Sequence, residues 1–158
     1  MGRMIYVVDG HNLIPHLPGF SLSAIDDEER LVALLQVFSR VRRHTVEVFF
    51  DGAPPGQSGM RAYGAVKAHF VRSGRTADDA IRAYLHRLGP RAAQVTVVTS
   101  DRQVRTDARD LRSSLLDSDA FAAELLRARQ ADRSAPASNA EDGLDPGEVE
   151  EWLRLFGG

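Results

Sequence analysis

Three short apolar runs, each leading into an aspartate, constrain the fold of this chain most strongly. Residues 4–8 precede Asp9, residues 46–50 precede Asp51, and residues 95–99 lead through Ser100 to Asp101. Continuous apolar runs of this length are typical of strands buried on both faces, as in a parallel sheet covered by helices. Because the carboxyl ends of parallel strands share one edge of a sheet, we expect Asp9, Asp51 and Asp101 to converge there.

Amphipathic segments between these runs predict helices. Four apolar stripes at helical spacing begin at Leu31, Ala77, Val104 and Phe121, and Thr76 and Ser118 are expected to cap the second and fourth helices. The alternation over residues 66–70 predicts an edge strand, and residues 113–116 predict a short fifth strand. Strand and helix therefore alternate, which predicts an α/β fold with a doubly wound parallel sheet flanked by helices.

The length and composition indicate one globular domain. We expect a domain over residues 1–130, a flexible linker rich in Ala, Ser and Pro over 131–144, and a C-terminal amphipathic helix over 145–158, entered through Asp145-Pro146. The absence of cysteine excludes disulfides, thiolate zinc sites and cysteine nucleophiles. No apolar run could span a membrane, and the amino terminus opens directly into a predicted strand, so we expect a cytoplasmic protein without a signal peptide.

Clustered carboxylates at one sheet edge predict a cation site. Asp78 and Asp79 add two acids at a helix start, although a capping-box role also explains Asp79, and a turn also explains Asp51-Gly52. Like charges repel unless a cation lies among them, and Mg²⁺ or Mn²⁺ prefers oxygen ligands. Such an ion can activate water and stabilise charge on a phosphate, as phosphodiester hydrolysis requires.

Polar residues beside these carboxylates are candidates for supporting roles. Asn12 follows Asp9 by three residues and can hold a carboxylate or a water without adding charge, although a turn asparagine is the alternative. Thr99 and Ser100 offer hydroxyl groups next to Asp101 for hydrogen bonds to the site or for phosphate contact.

The motifs VVDGHN, FFDG, TADD and VVTSDR follow one another along the chain. Together they resemble the NYN domain family of the PIN-like nuclease superfamily, and the YacP-like branch most closely. The resemblance covers residues 4–129, and the predicted final helix is also similar to the end of YacP-like chains. It implies a PIN-like sheet in which the first strand is central and the strand before Asp101 lies beside it.

The resemblance also implies a function. Asp9, Asp78, Asp79 and Asp101 would form a metal-dependent catalytic cluster supported by Asn12. Asp51 matches the strand-two aspartate of the branch, and His11 stands where an aromatic residue is common. The implied substrate is RNA. Because the branch includes ribosome-associated endoribonucleases, the ribosome is a candidate partner.

A basic stripe next to Asp101 is a candidate RNA contact. Arg102, Arg105, Arg109 and Arg112 are predicted on one helix face, with Arg72 and Arg75 as the opposite wall. The alternative is a solvated face neutralised by Asp107 and Asp110.

Three other functions remain open at this stage. A receiver-like phosphoacceptor domain requires a lysine near its last strand, whereas Lys67 lies on the third predicted strand. A metal-dependent phosphatase would use the same acids, and a non-catalytic RNA-binding module would fit a broken acidic cluster.

Overall fold

The order of elements in the computed structural model, which describes residues 4–20 and 26–133, follows the predicted alternation. The strands are β1 Ile5–Asp9, β2 Thr45–Ala53, β3 Gly59–Tyr63, β4 Val66–Arg72, β5 Val95–Val98 and β6 Ser114–Leu116. The helices are α1 Gly10–Leu13, α2 Asp27–Arg42, α3 Ala77–Leu88, α4 Arg102–Asp110 and α5 Ser118–Arg133, with 3-10 turns at Ile14–His16 and Gly89–Gln94.

The six strands form one sheet in the order β3-β4-β2-β1-β5-β6. All neighbouring pairs are parallel except β3 with β4. As predicted, β1 is central and β5 lies beside it, with Val8 opposite Val98. Both Val7 and Val8 are fully buried, because helices cover the two faces of the sheet. The mixed, mainly parallel sheet confirms the predicted α/β class.

Two apolar cores hold the helices on the sheet. One packs α2 and α5 on one face around Leu34, Phe38 and Phe121. The other packs α3 and α4 on the opposite face around Ile81 and Val104. These contacts confirm the four predicted apolar stripes and explain why the strands are apolar on both sides.

The segment from residue 52 to 64 contains strand β3, which was not predicted. This strand is antiparallel to β4, so β4 is an internal strand and the edge-strand prediction was wrong. The hairpin turns through Gly64, whose φ of 64° favours glycine in a two-residue connection. Because four of the five β3 residues are exposed, the strand lacks the apolar alternation that identifies half-buried strands.

The helix starts agree with the prediction at α3 but not at α5. The Asp79 backbone N–H donates to the Thr76 hydroxyl at 3.1 Å, as expected for the N-cap. Ser118 is the first residue of α5, and its hydroxyl donates to the Asn12 side chain at 2.6 Å, so it is not the predicted cap.

The chain beyond Arg133 lies outside the described residues. Helix α5 includes positions 131–133 of the predicted linker, and the rest of that linker and the predicted helix over 145–158 are not covered. Within the described ranges, no helix has the length and apolar character needed to cross a membrane.

Candidate active site

Two carboxylates of the site are fixed by neighbouring strands. Asp9 ends β1 and is the N-cap of α1, where it accepts the Asn12 backbone N–H at 3.3 Å. Asp101 follows β5 and is the N-cap of α4, where it accepts the Val104 backbone N–H at 3.0 Å. Both aspartates therefore also act as helix caps. A capping contact uses one carboxylate oxygen, which leaves the second for another partner.

Asp78 joins these two carboxylates from the first turn of α3. Its side chain contacts those of Asp9 and Asp101, and its Oδ1 atom is buried without a hydrogen-bond donor. Two carboxyl groups can hydrogen-bond to each other only when one of them carries a proton. The contact therefore requires a shared proton, and full ionisation would leave Asp78 Oδ1 buried and unsatisfied.

The pKa values reflect this crowding. Burial, followed by the contact with Asp9 and the charges of Asp9 and Asp101, raises the pKa of Asp78 to about 7. Burial is also the main cause of the raised pKa of Asp9, and the negative charge of Asp51 contributes. Mutual repulsion of this kind disfavours ionisation until a cation compensates it.

The chemistry of the cluster suits a hard cation. All three side chains offer oxygen donors, and the buried Asp78 Oδ1 atom lacks any other partner. As arranged here, no group of three or more His, Asp or Glu side chains within residues 4–20 and 26–133 encloses a metal position. The donors therefore fit a hard cation by chemical type.

Asp79 differs from its neighbour Asp78. Its side chain is exposed, and its negative charge helps to raise the pKa of Arg82. Its backbone N–H donates to the Thr76 hydroxyl, which caps the helix start. The contacts with Asp9 and Asp101 are thus made by Asp78, which the capping-box pattern does not distinguish from Asp79.

Asn12 is held in place beside Asp9 by a residue not predicted for the site. Its side-chain oxygen accepts the Ser118 hydroxyl at 2.6 Å, and Ser118 in turn accepts the Ser100 hydroxyl at 3.4 Å. Thr99 accepts the Asp101 backbone N–H at 3.0 Å. Thr99 and Ser100 therefore stabilise the segment that carries Asp101, as expected of supporting residues.

His11 links Asp51 to α2 in an interaction that was not predicted. Its Nδ1 lies 2.7 Å from Asp51 Oδ1, and its Nε2 lies 2.7 Å from Glu28 Oε2. The hydrogen bond to Glu28, together with that to Asp51, raises the pKa of His11 to about 9 although burial lowers it. The imidazole is therefore protonated at neutral pH and donates to both carboxylates.

Gly10 allows the close approach of α1 to β2. A Cβ atom at this position would lie 2.3 Å from Cε1 of the Phe50 ring, which is closer than van der Waals contact permits. The glycine of the VVDGHN motif is therefore required by packing directly beside Asp9.

The basic stripe is only partly confirmed. Arg102, Arg105 and Arg109 line a cavity of about 480 Å³ together with Ser100 and Thr106. Arg112 does not belong to this helix face, because α4 ends at Asp110 and Arg112 has left-handed backbone with a φ of 64°.

The acidic residues near the stripe form other ion pairs than those expected for a solvated face neutralised by Asp107 and Asp110. Asp107 accepts from Arg82 at 2.7 Å and lies 3.3 Å from His86, both on α3, so it does not neutralise the stripe. Arg105 instead pairs with the exposed carboxylate of Asp117. Arg72, the last residue of β4, and Arg75, in the connection from β4 to α3, are both exposed. That connection leads to the helix start that carries Asp78.

Comparison with known proteins identifies the family and supports the fold. The sequence model of the YacP-like NYN domain matches residues 6–155. The fold resembles the crystal structure of Rae1 (YacP) from Bacillus subtilis, with 23% identity, a TM-score of 0.69, and coverage of 97% of this chain and 92% of that one. A mutant of the same protein gives a TM-score of 0.67 with the same identity and coverage. No curated protein matches. The chain belongs to the YacP-like NYN domain family, whose domains are nuclease-like.

Proposed function

We propose that this protein is a metal-dependent endoribonuclease that hydrolyses phosphodiester bonds of RNA. The observation that carries the proposal is the position of Asp78 between Asp9 and Asp101, with one buried oxygen that has no donor. Three carboxyl groups in contact destabilise the folded protein at neutral pH, because each disfavours ionisation of the others. Their convergence is therefore best explained by a cation that they bind.

Mg²⁺ or Mn²⁺ is the proposed cofactor, held by Asp9, Asp78 and Asp101, with the exposed Asp79 as an outer carboxylate. When bound, such an ion supplies positive charge for the phosphate and acidifies water. In the metal-free cluster the pKa of Asp78 is raised to about 7, so its carboxylate gains most from the positive charge of a bound cation. Ser118 orients Asn12 beside Asp9 through the hydrogen bond to its side-chain oxygen.

The proposed RNA path crosses the acidic cluster between two groups of arginines. On one side the phosphates would be bound by Arg102, Arg105 and Arg109, and on the other side by Arg72 and Arg75. A guanidinium group suits this role because it can donate two parallel hydrogen bonds to the oxygens of one phosphate. Arg112 would contact RNA from outside the helix face. The family resemblance supports action on ribosome-associated message in the cytoplasm, and this part of the proposal rests on it alone.

A circular single-stranded RNA tests the proposal most directly. We expect the purified protein to cleave the circle in the presence of Mg²⁺ or Mn²⁺, and we expect EDTA to prevent this cleavage. Because a circle has no end for an exonuclease, its cleavage identifies an endonuclease. Asp9→Asn should abolish cleavage but retain RNA binding, whereas Asp119→Asn, at an exposed position on α5, should cleave normally. Cleavage that persists in EDTA would refute the metal mechanism.

The same samples distinguish the remaining alternatives. Hydrolysis of p-nitrophenyl phosphate without any RNA cleavage would identify a phosphatase. Retained RNA binding without cleavage of free or ribosome-bound RNA would identify a non-catalytic binding module.

A further inference from the structure

A groove next to the acidic cluster has no role in the reaction proposed above. It encloses about 430 Å³ between α2 and the strands β2, β3 and β4, and Glu28 and Asp51 line it. His11, which follows Asp9 by two residues, hydrogen-bonds to both of these carboxylates. This α2–β3 groove therefore begins beside the cluster, within reach of a nucleotide whose phosphate lies there.

One wall of the groove is a stack of flat groups. The Phe50 and Phe70 rings lie 5.6 Å apart with 25° between their planes, and the Arg61 guanidinium carbon lies 5.1 Å from the Phe70 centroid. Phe70 and Arg61 line the groove, and Arg61 is exposed. Unpaired bases stack on aromatic rings and on guanidinium planes, so a base can extend this stack from the groove side.

The polar groups of the groove suit a base better than a phosphate. Its acidic members, Glu28, Glu29 and Asp51, would repel a phosphate but can accept hydrogen bonds from amino groups. Gln36 and Gln57 add side-chain amides that can both donate and accept. The volume lies within the range of small-molecule sites.

We propose that the α2–β3 groove binds one RNA base beside the scissile phosphate and selects bases that carry an exocyclic amino group. Arg61 provides the stacking surface, and Glu29 accepts from the amino group. The inference rests on the proposed ribonuclease function for its position relative to the cut, but base binding itself does not require cleavage.

Oligouridylates that carry one adenosine, guanosine or cytidine at a fixed position test the selection. We expect the wild type to cut at a constant distance from that base. All-uridine RNA should be cleaved about tenfold less efficiently, because uridine can stack on Arg61 but offers no amino group to Glu29. Arg61→Met and Glu29→Gln should remove both the preference and the fixed distance. Arg91→Met, an exposed arginine on the turn before β5, should retain both.

A binding measurement in EDTA separates this inference from the nuclease activity. An oligouridylate with one 2-aminopurine should lose fluorescence on binding the wild type or Arg91→Met, but not on binding Arg61→Met. If this quenching occurs without RNA cleavage under any condition, the nuclease proposal fails and the groove assignment stands. If the wild type cleaves RNA, but without base preference and without quenching that depends on Arg61, the groove assignment is wrong and the nuclease proposal stands.

Discussion

The carboxyl groups of Asp9 and Asp78 are in contact, although one ends the central strand and the other lies in the first turn of α3. The contact needs a proton, so the folded protein binds that proton more tightly than the unfolded chain does. The metal-free protein should therefore lose stability as the pH rises.

The first prediction concerns this pH dependence. The pKa of Asp78 is about 7 when folded and near 3.8 when unfolded, so its contribution is complete below pH 4 and is lost as the pH rises to 7. Urea denaturation in EDTA should show the free energy of unfolding of the wild type falling across this range relative to that of Asp78→Asn. Parallel pH profiles for the two proteins would show that the pKa of Asp78 is not raised in the folded protein.

The second prediction concerns the response to metal. If Mg²⁺ binds with a dissociation constant of about 1 mM, then about 10 mM would add roughly 1.4 kcal/mol of stability. For a domain of this size, that raises the melting temperature by roughly 3–6 °C. Asp101→Asn should lose most of this gain and melt higher than the wild type in EDTA, because asparagine also caps α4 and carries no charge.

The matched control for the metal response is Asp119→Asn, which alters an exposed carboxylate on α5. Its thermal shift should equal that of the wild type. If Asp101→Asn gains as much melting temperature from Mg²⁺ as the wild type and melts lower than the wild type in EDTA, Asp101 is not part of the metal site.

The third prediction concerns His11. Its pKa is about 9 when folded and near 6.5 when unfolded, so its stabilising effect is present below pH 6.5 and is lost as the pH rises through 9. His11→Phe should lower the free energy of unfolding at pH 6 by about 1–2 kcal/mol. This value is kept small because Asp51 and Glu28 are partly exposed, so solvent screens their interaction with His11. The difference from the wild type should shrink by pH 10. An NMR titration that gives His11 a pKa near 6.5 would contradict its proposed stabilisation by Asp51 and Glu28.

The fourth prediction concerns the basic stripe. In an Asp9→Asn background, Arg105→Ala with Arg109→Ala should weaken binding of single-stranded RNA. The plot of log affinity against log salt should flatten by about 0.7 per lost phosphate contact. Arg87→Ala with Arg91→Ala removes two exposed arginines elsewhere and should leave the slope unchanged. Unaltered affinity and slope in the double arginine variant would show that the stripe does not bind phosphates.

The sequence predicted those parts of the site that depend on backbone pattern. Apolar runs predict the ends of β1 and β5, beside which Asp9 and Asp101 lie, and the Thr76 cap places Asp78 in the first turn of α3. These positions follow from patterns that are local in the sequence. The adjacency of β1 and β5 is not local, and it was implied by the family resemblance.

The unpredicted interactions connect residues that are distant along the chain. The hydrogen bonds from His11 to Glu28 and from Ser118 to Asn12 depend on how separate helices pack together. No periodic pattern contains that information. Arg112 was misplaced for a related reason, because its left-handed backbone takes it off a helix face that its spacing alone predicted.

The parallel pairing of β1 with β5 also divides the cluster into a rigid part and an adjustable part. The ladder between these strands holds together the segments that lead directly into Asp9 and Asp101, whereas Asp78 is attached to α3 and can shift with the start of that helix. Accommodation of a cation would then appear in hydrogen exchange as slower exchange of amides in the first turn of α3, while the amides of β1 and β5 exchange equally slowly with and without metal.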